Sequence, residues 1–504
     1  MTSNAQQMAH GTMWTALERF SVMGIQLICT FVLARFLTPA MFGLMGMIVV
    51  FTLIGNTITE SGFSQALIRE REVGSRTLST VFWTNMILAL VIYIVLWFCA
   101  PLIARFYSEP ILTDVCRVTF LVIPLGGLSL IHLTLCTRQL EFRRMCFISL
   151  VASLLSCLLA VVWAWRSHSV WALVVQNLAA YAFRTLGFWL TTRFRPALTF
   201  VVDDLKRLFA FSRNLLVSGL MGNIFNNIYT LLIGRCYGAT EAGYFVQADR
   251  IRMVASASFT QVVQSVSYPI LSRINNRTQS DLSEQTQPSP SEQIQENLFH
   301  AYRRIILVTL MVVGFLMTLL MCVSEDLLQL LMGGPDWRVA GRFLMALGVA
   351  GILYPLHAVN QNILLVKGQG RTVLWLEVLR RALMVLLIFA ALQFGVDVFV
   401  WSYALYSFLL IFLNLHVCGR PIGYGLWEQL RDIRPILLGF LLMLVVAQCS
   451  NHVLALCSLP LHFLITLTLS LSIGLLYFHR HPSFCEAMDL MKKMIQSFSN
   501  ENSK

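Results

Sequence analysis

The sequence predicts an all-α polytopic membrane protein of about fourteen transmembrane helices. They form two parallel six-helix repeats around a central cleft, plus two accessory helices. Three observations predict it. The 504 residues are 57% hydrophobic and only 12% charged, with a mean hydropathy of +0.70, more apolar surface than a soluble domain of this length needs. The apolar residues fall in repeated runs of about twenty, enough for a helix to cross ~30 Å of hydrocarbon. Finally, Arg35 and Gly43 in LARFLTPAMFG recur as Arg235 and Gly243 in IGRCYGATEAG, a shift of 200 residues.

The spans lie near residues 12–34, 41–60, 81–104, 113–136, 146–165, 170–192, 214–234, 244–270, 302–323, 340–364, 374–394, 397–418, 435–456 and 459–479. WRSHS before 170 and FGVD before 398 read as tight turns between neighbouring helices. Residues 1–13 contain no Lys or Arg and no cleavage site follows, so the first span is expected to be retained. The 12 cysteines are scattered through apolar runs and form no CxxC pair, so they read as small core residues. His479 and His481 are too few ligands for a metal site. No cofactor is expected.

The net charge of +12 reflects topology. Of the 37 Lys and Arg, 26 fall in one set of alternate loops, 7 in the other and 4 within spans. This bias places the rich side and both termini in the cytoplasm. No basic patch interleaved with aromatics exists on a soluble segment, so nucleic acid is not expected as a partner.

Three segments are read as non-spanning. Residues 203–213 (DDLKRLFAFSR) are expected to lie as an amphipathic helix on the cytoplasmic face. Residues 273–298 are Ser/Gln-rich and read as a flexible cytoplasmic loop. Residues 484–504 read as a short surface helix.

Polar residues inside spans test the repeat, because they are costly. Gln26 and Thr30 correspond to Asn226 and Thr230. Thr52, Asn56, Glu60 and Ser64 share one helix face, as do their partners Arg252, Ser256, Thr260 and Gln264. A second register, shifted by 225, pairs Pro110, Arg117, Gly126 and His132 with Pro335, Arg342, Gly351 and His357. The change of register falls across the 273–298 segment. Six spans per half keep both halves in one orientation, with the pseudo-two-fold axis along the membrane normal. The expected division is an N-terminal lobe over 1–196, a C-terminal lobe over 197–418, and accessory helices with a cytoplasmic tail over 419–504. Pro124 and Pro355 are expected kinks.

The candidate substrate-binding residues are those that charge or polarise these stripes: Arg19, Asn56, Glu60, Asn223, Asn226, Asn227, Asp249, Arg250 and Arg252. Arg suits phosphate because its planar fork makes paired hydrogen bonds, and Asn suits sugar hydroxyls. The competing reading is structural: Asp249 and Arg252 as an ion pair, the asparagines as links between helices. The two copies differ in charge, since Val49 and Thr52 stand where Asp249 and Arg252 stand. His132 and His357 read as satisfied packing residues. Enzymatic readings fail. There is no GxxxxGK[ST], VKGQGRT at 366–372 follows no strand, and VDD at 202–204 is a lone acidic pair. The outer loops are too short for a glycan polymerase or ligase.

Four stretches carry a family resemblance: LARFLTPAMFGLMGM at 33–47, SGFSQALIRER at 61–71, TRQLEFRRM at 137–145 and PDWRVAGRFLMALGVAGILYP at 335–355. They resemble the polysaccharide-transport (Wzx-type) branch of the multidrug/oligosaccharidyl-lipid/polysaccharide exporter superfamily, most closely its colanic-acid/teichuronic-acid exporter group. The resemblance spans about residues 10 to 420. It implies a flippase that moves undecaprenyl-diphosphate-linked oligosaccharide across a bacterial inner membrane by alternating access, for O-antigen, capsule or exopolysaccharide synthesis. It implies lipid-linked oligosaccharide and membrane lipid as partners. An H⁺ or Na⁺ gradient and a glycan polymerase or ligase are further candidate partners. The alternative is an ion-coupled multidrug exporter of the same superfamily. That role needs free acidic groups, whereas Glu18, Glu60 and Asp249 are met by Arg19, Arg250 and Arg252.

Overall fold

Long apolar runs in hydrocarbon must satisfy their own backbone, and the helix does so within one segment. A computed structural model describes residues 3–70, 73–281, 290–453, 458–486 and 488–489. Among these residues there are nineteen α-helices and no strand. The first nine are α1 (Ser3–Ala34), α2 (Pro39–Glu60), α3 (Phe63–Arg69), α4 (Ser75–Tyr107), α5 (Leu112–Thr119), α6 (Val122–Arg138), α7 (Phe142–Ser167), α8 (Trp171–Thr191) and α9 (Val202–Asn226). The rest are α10 (Ile228–Tyr237), α11 (Ala239–Arg252), α12 (Ser258–Asp281), α13 (Pro290–Cys322), α14 (Ser324–Met332), α15 (Arg338–Val366), α16 (Gly370–Ala391), α17 (Val396–Gly419), α18 (Leu426–Val453) and α19 (Leu459–Phe478).

The chain is a multi-pass membrane protein. Among the described residues ten helical stretches are long and apolar enough to cross a bilayer, and an eleventh is the bent pair of Leu215–Asn226 with α10. The other expected spans, near 170–192, 244–270 and 374–394, are helical but are shorter, less apolar or more charged. They carry Arg184 in α8, Asp249, Arg250 and Arg252 in α11, and Glu377, Arg380 and Arg381 in α16. Apolarity alone therefore does not establish a count of fourteen.

Several local expectations change. Residues 203–213 do not form a separate surface helix; they are the first turns of α9 and run unbroken toward the membrane. The expected seventh span, 214–234, is not one helix but α9 and α10 meeting at 43°. The expected fourth span is divided at Phe120 and Leu121 into α5 and α6. Pro124 falls in the first turn of α6, where its missing N–H leaves no helical bond unmade. Pro355 lies inside α15, which continues through it. Helix extends into both ends of the polar 273–298 segment, as α12 reaches Asp281 and α13 starts at Pro290; residues 282–289 lie outside the described residues. Gln and Glu at the start of α13 are good helix formers and favour the extension there. Most of 484–504 also lies outside the described residues.

The contacts divide the chain into two units, Met1–Val246 and Gln247–Lys504. The first buries Phe63, Leu67, Val81, Phe82 and Ile131 in one cluster. The second packs Tyr302, Met317, Leu353, Val359, Phe440 and Phe478. Phe98, Leu190, Phe389 and Leu476 point outward and expose most of their surface, as a lipid-solvated wall requires.

Within the first unit the repeat becomes a physical contact. A Cβ built on Gly43 would fall 1.7 Å from the Ala239 carbonyl oxygen, and one built on Gly243 would fall 1.9 Å from the Pro39 carbonyl oxygen. Pro39 and Ala239, like Gly43 and Gly243, are separated by 200 residues. The contact is thus reciprocal, as a local two-fold axis demands. Only glycine lets the two backbones meet so closely.

Replacing Gly43 or Gly243 with Ala should destabilise the protein by about 1–3 kcal/mol through overpacking. Gly24→Ala is the control, because nothing lies within 4 Å of its Cβ position. Thermal unfolding in detergent checks this; equal midpoints for all three variants would contradict the crossing.

Candidate functional site

A polar side chain in an apolar helix costs free energy until protein or water satisfies it. In the first unit, α2 and α9 satisfy one another. Asn223 donates through Nδ2 to the Thr57 hydroxyl at 2.6 Å. Asn56 reaches the Tyr181 hydroxyl of α8 at 3.5 Å, a long contact. Asn227 donates back to the Asn223 carbonyl at 2.9 Å.

The break between α9 and α10 lies in the same place. Asn227 is the joint, with φ −111° and ψ 7°, outside helical geometry. Its N–H bonds Ile224 in a tightened turn. The break frees backbone groups at the ends of both helices, and the asparagine amides stand beside them. Asn226 is exposed and Glu60 half-buried, and neither has a polar partner among the described residues. Interrupted helices of this kind are the usual carriers of substrate sites in transporters.

The second unit holds the charged residues of α11. Asp249 Oδ1 accepts two bonds from Arg252, from Nε at 2.7 Å and from a terminal nitrogen at 2.6 Å. The Arg252 side chain is 7% exposed and that of Asp249 33%. The guanidinium also lies 5.5 Å from the centre of the Tyr403 ring. Arg252 is therefore held by its own helix and by α17. Arg250 is exposed. Directly after Arg252 the helix widens into a π-turn, Met253–Ala257, a distortion often found at functional positions. The stripe that follows is packed against α15. Ser256 donates to the Gly351 carbonyl at 2.6 Å and Gln264 to the Ala358 carbonyl at 2.5 Å.

Arg19 is exposed on α1 and makes no hydrogen bond or ion pair with a described residue. Its neighbour Glu18 accepts a 2.5 Å bond from Ser149 of α7. The structure thus places Asn56 and Glu60 on α2, and Asn223, Asn226 and Asn227 on α9 and its joint to α10, in one unit, with the Asn223–Thr57 bond linking α9 to α2. It holds Asp249, Arg250 and Arg252 on one helix of the other.

Sequence reasoning missed the partners. Thr57, Tyr181 and Tyr403 gave no signal, since a hydroxyl in an apolar run is unremarkable. A larger omission is the buried network of the second unit. Asn414 meets His357 Nδ1 at 2.5 Å and accepts from Arg380, which also pairs with Glu377 at 2.7 Å. The signal was present: Glu377 and Arg380 stand three apart inside an apolar run. In the first unit His132 has the corresponding bond, Nδ1 to the Thr192 hydroxyl at 2.6 Å.

Residues 32–287 match the profile of a family described as polysaccharide biosynthesis protein. The chain is 26% identical over 446 residues to the teichuronic acid biosynthesis protein TuaB of Bacillus subtilis (strain 168), covering 87% of this chain and 88% of that one. It is 26% identical over 273 residues to the succinoglycan biosynthesis transport protein ExoT of Rhizobium meliloti (strain 1021), covering 53% of this chain and 54% of the relative. Against the lipopolysaccharide biosynthesis protein WzxC of Escherichia coli (strain K12) the match is 25% over 278 residues, 53% of this chain and 55% of the relative. It therefore spans about half the length of these last two. Among solved structures, the lipid II flippase MurJ in an inward closed conformation superposes with a TM-score of 0.71 at 14% identity, over 95% of this chain and 99% of that one. An inward-facing multidrug resistance transporter of the MATE family gives 0.62 at 12%, over 80% and 94%. At these identities the likeness is one of fold.

The ion pair predicts an asymmetry. Asp249→Asn strands a buried guanidinium and should cost about 3 kcal/mol, whereas Arg252→Met leaves behind a carboxylate that water can reach and should cost less. The double variant should recover much of the loss. Thermal unfolding of the purified variants checks this, and equal costs for the two single changes would contradict it.

Proposed function

Because this chain belongs to the polysaccharide biosynthesis protein family, we propose that it is a flippase for lipid-linked oligosaccharide. It carries an undecaprenyl-diphosphate-linked glycan from the cytoplasmic to the outer leaflet of the inner membrane. The glycan then enters surface polysaccharide. No covalent bond is made or broken. Both termini lie in the cytoplasm on this reading, as the Lys and Arg distribution requires.

The observation that carries the reading is the interrupted helix at Asn226 and Asn227, bonded through Asn223 to Thr57 of α2. Neutral amides at a helix break suit sugar hydroxyls. The N-terminus of α10 adds a favourable potential for an anion. Asp249 is occupied by Arg252, so it is not an open carboxylate for a cationic drug. Transport proceeds by alternating access, driven by an H⁺ or Na⁺ gradient or by the substrate gradient. A glycan polymerase or ligase consumes the product on the outer face.

Deleting the gene should strip surface polysaccharide and accumulate lipid-linked oligosaccharide, and the wild-type gene should restore both. An Asn223→Leu/Asn227→Leu variant should reach the membrane at the wild-type level yet reduce export at least tenfold. Full restoration by that variant would remove the asparagines from the mechanism. Unchanged surface polysaccharide together with new drug sensitivity in the deletion strain would replace this reading with the drug exporter.

A further inference from the structure

A cavity of about 550 Å³ opens in the second unit where three membrane spans end. Its wall comes from α13 near the start of its apolar stretch, from the first turns of α18, and from residues 481–486 just beyond α19. The charged lining is Arg303, Arg304, Arg431, Asp432 and Glu486, with His481 beside them.

The charges are unequal in availability. Arg303 makes a bidentate pair with Asp432, both bonds 2.6 Å, and the Tyr424 hydroxyl donates to the same carboxylate. That pair is fixed and cancels itself. Arg304 meets Glu486 at 3.0 Å, with the two side chains 63% and 38% exposed. An ion pair so open to water is worth little and parts readily. Arg431 is exposed and forms no ion pair with a described residue. His481 Nδ1 is buried without a hydrogen-bond partner. Three guanidinium groups against two carboxylates leave one uncancelled positive charge. Arg431 is free to turn toward an anion, and Arg304 can leave its exposed pair to join it.

The position identifies the anion. Trp427, 81% exposed, lies four residues before Arg431 on the same face of α18. An exposed Trp at the end of a span marks headgroup depth. Deeper along α18, Leu438, Leu441, Leu442 and Val445 are exposed to the hydrocarbon and offer a wall for acyl chains.

We propose that this cavity binds the phosphodiester of an anionic glycerophospholipid, with Arg304 and Arg431 on its oxygens and its tails along α18. A phosphodiester carries one negative charge, which matches the uncancelled positive one, and guanidinium groups bind its oxygens in pairs. Basic pockets between spans at headgroup depth are a recognised setting for such lipids. The lipid ties α13 to the α18–α19 pair and so holds the accessory helices in place. This role does not depend on the transported cargo.

The test uses the full-length protein in detergent, with phosphatidylglycerol or phosphatidylcholine added and binding read by native mass spectrometry. Phosphatidylglycerol should bind the wild type at least tenfold more tightly than phosphatidylcholine and raise its unfolding midpoint. Arg304→Gln/Arg431→Gln should lose both effects, while Arg371→Gln, at another exposed basic position, should keep them. Should the double variant fold poorly, Arg431→Gln alone, at an exposed side chain, should still weaken binding. Undiminished phosphatidylglycerol binding by the Arg304 and Arg431 variants would overturn the site. So would equal stabilisation by phosphatidylcholine. An equal midpoint shift with inorganic phosphate alone would overturn the assignment to a lipid.

Discussion

A polar group placed in hydrocarbon must be answered by another part of the protein, and the interior of this chain is arranged by that demand. Asn223 is answered by Thr57, Arg252 by Asp249, Ser256 by the Gly351 carbonyl, and His357 by Asn414. Each pairing joins helices or fixes a buried charge. Hydrophobic burial cannot set these contacts by itself, because lipid is as apolar as leucine. Polar bonds and close backbone approaches take its place. The Gly43–Gly243 crossing is the closest such approach, and its reciprocity shows the internal repeat at work in the fold.

Part of the polar interior is left unanswered by other side chains. Where the seventh span breaks, Asn226 and Asn227 stand at the joint, and Glu60 has no partner among the described residues. A break there costs helical bonds that an unbroken apolar span would keep. On the flippase reading proposed above, binding of a hydroxyl-rich, anionic cargo offsets that cost. Arg252 is among the candidates the sequence offers. Its pairing with Asp249 and its contact with Tyr403 give it a structural part as well.

The helical class and the repeat were legible because both depend on one-dimensional patterns: run length, and identities at a fixed shift. The break at Asn227 was not legible as such. Three asparagines at helical spacing read as one polar stripe, and nothing local in NIFNNIYT demands a bend. The stripe of Arg252, Ser256, Thr260 and Gln264 was legible as a face, but its neighbour α15 was not, since periodicity says which side is polar and not what it meets. Arg380 was misread for a similar reason. Counted with loop charges, it lies inside α16, where Glu377 and Asn414 make its burial tolerable.

The central claim is translocation, and reconstitution addresses it most directly. Purified protein in liposomes would be given a fluorescent polyprenyl-diphosphate oligosaccharide in both leaflets, and a glycan-cleaving enzyme would then be added outside. With an active flippase, nearly all of the glycan should be cleaved, because inner-leaflet molecules cross during the assay. Cleavage that stops at about half, as in protein-free liposomes, would contradict the account.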